Sequence, residues 1–260
     1  MNELNRFKDK YKNLPKQGTP EWLEGRRGFI GGSELSAVLG LNPYQTMDEF
    51  IVNKIKTIPW AGNEATRWGS TMEQVAIRYI EEKGWTVHTF GSIECLAIPG
   101  AKYSPDGIIV SSDGKTIRLL EIKCPFSRGP NGKIPSYYLP QVQLGLATFP
   151  FVENALFVSM YIKYAFDFSS STIGCAWGYF SDVENTDLHV CFHREEFPQF
   201  AEIAKKTTIL GIKFVVYCIE EIDVEKDPMF VENTREKVAS ALQKIKELES
   251  AQDNSHKDIV

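Results

Sequence analysis

The sequence predicts an α/β fold: a mixed β-sheet flanked by helices, with helical additions at the N- and C-terminal ends. Three observations carry this. A chain of 260 residues that is 43% hydrophobic can bury one sizeable core and is neither disordered nor fibrous. Between about residues 85 and 164, short β-branched and aromatic runs alternate with turn residues and are interrupted by one helical pattern. Amphipathic helical segments lie on either side, at 66–83 and 233–249. The expected organisation is a single domain over 1–250 followed by a flexible tail, 251–260.

Residues 1–30 read as a basic, helix-biased lead. Arg6, Lys8, Lys10, Lys12, Lys16, Arg26 and Arg27 outnumber Glu3, Asp9, Glu21 and Glu24, and Pro15 and Pro20 divide the stretch. A short helix is expected over 33–39, with Ser33 as its N-cap after Gly31-Gly32 and Gly40 as its stop. A second, over 47–56, ends before Pro59. In 66–83, Met72, Val75, Ala76, Tyr79 and Ile80 form an apolar stripe and Gly84 closes the helix, which should therefore pack on a sheet. Strands are expected at about 85–90, 94–97, 108–110, 117–123 and 156–164, with a helix at 138–148. A polar loop at 169–172 leads to a hairpin over 175–180 and 188–192. A largely apolar helical stretch from 195 to about 221 follows, then the acidic run Glu220, Glu221, Asp223, Glu225 and Asp227, and the terminal helix.

Charge and cysteine usage narrow the function. Lys+Arg of 29 against Asp+Glu of 34 gives a net charge of −5, so the chain lacks the bulk positive charge of a histone-like DNA coat, and any nucleic-acid site must be a local groove. No apolar run is long enough to cross a bilayer. The opening MNELNRFKDKYKNLPK is charged where a signal peptide needs an apolar centre, so a soluble, intracellular protein is expected. The five cysteines, Cys95, Cys124, Cys175, Cys191 and Cys218, are scattered and form no C-x-x-C pair, which fits a reducing compartment.

The chemistry concentrates in Ser104-Pro105-Asp106-Gly107, Asp113-Gly114 and Glu121-Ile122-Lys123. Asp113-Gly114 between two β-rich runs is the preferred two-residue hairpin turn, with positive φ at both positions. Counting outward from Ser112 opposite Lys115 brings Asp106 opposite Glu121. Directly opposed side chains have Cβ atoms about 4.5–5.5 Å apart, so the two carboxylates would repel unless a cation lies between them or one is protonated. Lys123 shares their face because strand side chains alternate. Carboxylate oxygens are the ligands Mg²⁺ or Mn²⁺ prefers, and such a site suits hydrolysis of a phosphodiester. The plain alternative is a solvated surface hairpin, since D-x14-E-x-K alone is a short pattern.

Ser104-Pro-Asp-Gly followed by Glu121-Ile-Lys-Cys-Pro-Phe resembles the PD-(D/E)XK nuclease superfamily, and within it the phage lambda exonuclease and YqaJ-type viral recombinase family. Further elements agree in the same order: Trp22-Leu-Glu-Gly-Arg26 with Gly-Gly-Ser33-Glu, Trp68-Gly-Ser-Thr-Met-Glu73, and Tyr138-Leu-Pro-Gln141-Val-Gln143. Together they span about residues 20–165. The resemblance implies a restriction-endonuclease-like sheet. It implies that Asp106, Glu121 and the backbone carbonyl of Ile122 ligate the metal, that Lys123 serves the attacking water, that Glu73 reaches a second metal or its waters, and that Gln141 holds the lysine or the water shell. From the sequence alone, Glu73 reads rather as a partly buried interfacial glutamate beside Ile77 and Ile80, and Gln141 equally as a polar residue in a first helical turn after Pro140.

A hydroxyl and free amides at a helix start, with a guanidinium nearby, make a natural phosphate seat. In the resembled family this pocket holds a 5′-terminal phosphate, which assigns Arg26 and Ser33 to it and adds Arg128 as a further phosphate contact. The implied function is a Mg²⁺-dependent 5′→3′ exonuclease, with Mn²⁺ as substitute, degrading linear double-stranded DNA in recombination or repair. The alternatives are a structure-selective endonuclease of the same superfamily and a catalytically silent DNA-end-binding module. The resemblance also suggests a homotrimer, a single-strand-annealing protein as partner, no membrane association, and the cytoplasm or nucleus of the host cell if the protein is viral. Other motifs carry less. His189-Val-Cys191-Phe-His193 lacks a fourth zinc ligand and reads as structural, Gly31-Gly32 lacks the lysine of a P-loop, and Trp60 and Trp68 could stack bases but more often belong to a core.

Overall fold

The computed structural model describes residues 2–56, 63–168 and 173–257. In chain order the helices are α1 (Asn2–Tyr11), α2 (Pro20–Glu24), α3 (Leu35–Val38), α4 (Met47–Ile55), α5 (Glu64–Glu82), α6 (Leu139–Thr148), α7 (Phe197–Lys206) and α8 (Phe230–Lys257). The strands are β1 (Ile30–Gly31), β2 (Thr86–His88), β3 (Ile93–Glu94), β4 (Ala101–Tyr103), β5 (Gly107–Val110), β6 (Ile117–Lys123), β7 (Asn154–Tyr164), β8 (Ala176–Phe180), β9 (Leu188–Cys191) and β10 (Lys213–Glu225).

The strands β6 and β7 are buried at most positions, as befits the middle of a sheet covered on both faces. They are the parallel pair of a seven-stranded mixed sheet ordered β2-β5-β6-β7-β10-β8-β9, whose other pairings are antiparallel. Parallel neighbours need a crossover, and α6 supplies it. A small second sheet, β1-β4-β3, sits beside the first. Side-chain alternation divides the core: Leu119, Ala155 and Phe157 face α6, while Leu120, Ile122, Leu156 and Val158 face α5. Glu121 and Lys123 thereby fall on the α6 face with Leu119.

The helix α5 buries Met72, Val75, Ala76 and Ile80 of its expected stripe, starts where Asn63 accepts a 2.9 Å bond from the Thr66 N–H, and stops at Gly84, which has φ of +87°. Trp68 lies in the core beneath it, 3% exposed, and does not offer a stacking surface. Trp60, Pro59 and the expected polar loop at 169–172 fall outside the described residues. The helix α8 continues past 251 as far as Lys257. Among the described residues no helix is long and apolar enough to cross a membrane.

Two expectations change. The stretch 195–221 does not form one helix: α7 ends at Lys206 and the chain re-enters the sheet as the 13-residue β10. That segment is rich in β-branched residues (Val215, Val216, Ile219, Ile222, Val224), and it pairs with β7 along almost its whole length and with β8 at one end. Most of the acidic run is consequently on a strand. The hairpin β5–β6 keeps its expected register, with Gly107 opposite Leu120 and Val110 opposite Ile117, but its turn is longer. The Ser111 N–H donates to the Thr116 carbonyl and the Gly114 N–H to that of Ser111. Of the loop residues, Gly114 alone has positive φ, +71°. Four residues instead of two therefore close the hairpin. An even change leaves the side-chain parity intact, so every residue stays on its expected face.

Candidate active site

The register carries Asp106, one step beyond Gly107, to the position facing Glu121. Both carboxylates are buried, at 9% and 0% exposure. Asp106 accepts a 2.6 Å bond from the Ile122 N–H. Glu121 accepts a 2.6 Å bond from the Tyr103 hydroxyl and a further bond from the Lys123 ammonium. From the far side, α5 brings Glu73 within electrostatic range of Lys123, Glu121 and Asp106. Asp106, Glu121, Lys123 and Glu73 thus converge on one end of β6.

The electrostatics of this cluster are those of acids crowded out of water. Burial, reinforced by the charge of Glu121, pushes the Asp106 carboxyl well above its ordinary value, against the pull of Lys123 and the Ile122 bond. Burial likewise raises Glu73, with Lys123 opposing. For Lys123, burial disfavours the ammonium, but attraction to Glu121 and Asp106 outweighs it and raises its pKa, so the side chain is charged at neutrality. The Tyr103 phenol, raised by burial and by Glu121, remains a donor. With all three acids ionised, one ammonium leaves two negative charges uncompensated. A hard divalent cation is the natural complement of such oxygen donors. In this arrangement Glu121 is turned toward Lys123 and Tyr103, and among the described residues no three His, Cys, Asp or Glu side chains stand together closely enough to enclose an ion.

The segment Gly31-Gly32 joins this cluster to a second one. A Cβ at Gly32 would stand 2.9 Å from the Tyr103 ring and 3.2 Å from Cγ of Gln141, while one at Gly31 would stand 2.2 Å from a guanidinium nitrogen of Arg26 and 3.2 Å from a Glu34 carboxylate oxygen. Bare backbone is thus the floor on which all four side chains rest. Gln141, in the first turn of α6, packs on Gly32 through its Cγ, and no hydrogen bond joins it to Lys123 among the described residues. Gly32→Ala should displace Tyr103 and with it Glu121, lowering turnover at least about tenfold with the fold retained. Single-turnover rates alongside circular dichroism would check this, and an unchanged rate would separate Gly32 from the site.

Arg26 lies over the Trp22 ring, 4.4 Å from its centroid, and the Trp22 indole donates a 3.1 Å bond to Ser104 Oγ. Burial lowers the guanidinium pKa, with Glu34 opposing, but an arginine stays protonated. Ser33 is exposed and does not cap a helix. The chain first makes a 3₁₀ turn over Gly32–Glu34, so Ser33 lies inside that turn, and Glu34 ties it back by accepting a 2.7 Å bond from the Gly31 N–H. Gly40 ends the segment as expected, with φ of +73°.

Arg128 is engaged with protein groups. It donates to the hydroxyls of Tyr137 and, at 3.1 Å, Tyr138, and lies over both rings. The Tyr138 ring also lies 5.2 Å from Lys123 Nζ, so Arg128 belongs to the rim of the same site. A cavity of about 80 Å³ lined by Arg128, Lys133, Tyr138, Phe157 and Ser159 adjoins it. Sequence reasoning gave no role to Tyr103, Tyr138, Glu34 or Lys54. The available signal was indirect: a buried carboxylate such as Glu121 requires donors, but nothing in the chain order says which element supplies them. His189 stacks on Tyr179 and His193 lies 3.4 Å from Glu82, on different neighbours, in keeping with a structural strand.

Comparison with known proteins bears on the fold and on the sequence resemblance. Residues 21–149 match the profile of the YqaJ-like viral recombinase domain. Protein D345L of African swine fever virus, isolate Tick/Malawi/Lil 20-1/1983, is 30% identical over 207 residues, covering 69% of this chain and 57% of the viral protein. The same protein from strain Badajoz 1971 Vero-adapted is 32% identical over 176 residues, 57% of this chain and 50% of that one. The chain therefore spans about half the length of these relatives. An alkaline exonuclease from Laribacter hongkongensis superposes with a TM-score of 0.56 at 20% identity, over 93% of this chain and 100% of that one. A phage-related exonuclease from Haemophilus somnus does so with a TM-score of 0.51 at 14% identity, over 86% and 96%. Those structures share the mixed sheet with flanking helices, the restriction-endonuclease-like fold. With the motifs in order along it, the segment 21–149 matches the YqaJ-like viral recombinase domain, and the chain is similar over 207 residues to protein D345L.

Proposed function

We propose that the protein is a Mg²⁺-dependent exonuclease, with Mn²⁺ as substitute, that digests linear double-stranded DNA from its 5′ ends in recombination or repair. The observation that carries this reading is the shared contact across Gly31-Gly32: Arg26 and Glu34 pack on Gly31, while Gln141 and Tyr103, which donates to Glu121, pack on Gly32. An enzyme that needs an end must hold the terminal phosphate and the scissile bond together, and a backbone floor shared by the two clusters supports that reading.

Asp106, Glu121, the Ile122 carbonyl and Glu73 would hold the divalent ion, whose contribution is Lewis acidity toward the phosphodiester and neutralisation of its developing charge. Lys123, kept charged by Glu121 and Asp106, would orient the attacking water and add positive charge beside the transition state. Tyr103 fixes one oxygen of Glu121, leaving the other for Lys123. Gln141 would steady the water shell against the floor formed by Gly32. Arg26 and the exposed Ser33 hydroxyl would grip the terminal phosphate, and Arg128 a neighbouring one on the rim. Contacts of this kind read the backbone, so binding should be largely sequence-independent and weaken with salt. The family resemblance extends the proposal to a homotrimer, to a single-strand-annealing protein as partner and to an intracellular setting.

The test uses end-labelled linear duplex and a closed circle of the same sequence, with and without Mg²⁺. Metal-dependent shortening of the 5′-labelled end, with the circle intact, is expected. Cutting of the circle would turn the assignment to an endonuclease, and binding of ends without release of nucleotides would turn it to an end-binding module.

A further inference from the structure

Glu34 and Lys54 carry no role in the reading above, yet they form the most specific contact near Arg26. Both Glu34 carboxylate oxygens lie 2.9 Å from Lys54 Nζ, and one also accepts the Gly31 N–H at 2.7 Å. The Arg26 guanidinium attracts the same carboxylate and packs over the same glycine. Both partners are substantially shielded, with side chains 17% and 27% exposed. An amide N–H and an ammonium directed at one small anion, with a guanidinium beside them, are the elements of an oxyanion site, and here the chain's own carboxylate fills it.

We propose that Lys54 is a specificity-determining cation of the end-binding seat, and that Glu34 is its resident anion, exchanged for the terminal phosphomonoester when DNA binds. This rests on the end-dependent reading given above. A phosphomonoester carries about 1.5–2 negative charges at pH 7 and three acceptor oxygens, against one charge and two oxygens for a carboxylate. It therefore competes for two cations where a 5′-hydroxyl end cannot. Between binding events Glu34 holds Lys54 in place near Arg26, so the seat is pre-assembled without being open to every carboxylate in the cell. Lys54 comes from α4 and Glu34 from the 3₁₀ turn, so the site exists only once these elements pack together.

The test is equilibrium binding of 5′-phosphorylated and 5′-hydroxyl duplexes, followed by fluorescence anisotropy without divalent ion, for the parent, Lys54→Gln, Lys54→Arg and Glu34→Gln. The parent should prefer the phosphorylated end. Lys54→Gln should lose about tenfold or more of that preference, as expected for removing a charge-assisted bond, and Lys54→Arg should restore most of it. Glu34→Gln should tighten binding of the phosphorylated end severalfold and leave the hydroxyl end unchanged. Each variant's hydroxyl-end affinity serves as its folding control, because a damaged fold lowers both. A parent that prefers phosphorylated ends together with a Lys54→Gln variant that keeps the preference overturns the role of Lys54 alone. Equal weakening of both ends by Glu34→Gln makes Glu34 a structural brace and overturns the exchange. A parent without preference removes the end seat itself, and this inference with it.

Discussion

Lys123→Ala is expected to lower turnover of linear duplex DNA by about 10²–10⁴-fold, the usual contribution of a positioned proton-transfer or orienting group, while leaving DNA affinity largely unchanged. The ammonium is held on the α6 face of β6 by Glu121 and lies against the Tyr138 ring, within the proposed metal site and not among the residues proposed to grip the terminal phosphate. The same substitution has a signature in stability. Attraction to two carboxylates raises the pKa of Lys123, and a raised amine contributes stability that is present below its unfolded value and lost only as pH climbs through the folded one. At pH 8 that contribution is in force. Its removal leaves Glu121 and Asp106 buried without their cation, at a cost on the order of 3 kcal/mol, and each kcal/mol moves Tm by about 2–4 °C in a domain of this size. Single-turnover assays and thermal melts on one preparation would read both effects. A variant with near-parental rate would remove the lysine from the mechanism.

Asp106→Asn should also be inactive, by a factor of about 10² or more, but with the opposite effect on stability in chelator. The folded-state pKa of Asp106 is raised, first by burial and then by Glu121. For a raised acid, stability is greatest below the unfolded value and falls as pH rises through the folded one. The metal-free parent should therefore lose stability from mildly acidic pH upward, with Glu73 adding to the trend. Asparagine cannot ionise and still offers an oxygen to the Ile122 N–H, so the variant should melt above the parent at pH 8 and show a flatter pH profile. Mg²⁺ should stabilise the parent through binding to the native state and stabilise the variant much less. A variant less stable than the metal-free parent at pH 8 would mean that Asp106 is not under electrostatic stress.

What was legible in the chain follows from local rules. The pairing of Asp106 with Glu121 was readable from the register: the turn proved to be four residues long instead of two, and the facing pair survived because the loop gains one residue from each strand. The helix α5 was readable from its stripe, and the place of Glu73 beside it from the position bordering that stripe. Ser33 and β10 were misread where a local preference competes with partners distant in sequence. Ser33 follows two glycines, as a cap should, yet Glu34 and Lys54 shape that turn. The segment 213–225 is apolar enough to suggest a helix, yet β7 and β8 supply a ladder for it.

By itself the sequence determined the fold class, the order of the motifs, and the two acids and lysine that share one face of the β5–β6 hairpin, because side-chain alternation and hairpin register act over a few residues. Only the tertiary structure decided that Tyr103 serves Glu121, that Gly31-Gly32 is a common floor for two clusters, and that Lys54 meets Glu34. Those contacts join residues 18, 71 and 20 positions apart, Tyr103 with Glu121, Gly32 with Tyr103 and Glu34 with Lys54. They form only where packing and the need to satisfy buried charge select one partner from many, and no periodicity along the chain records that choice.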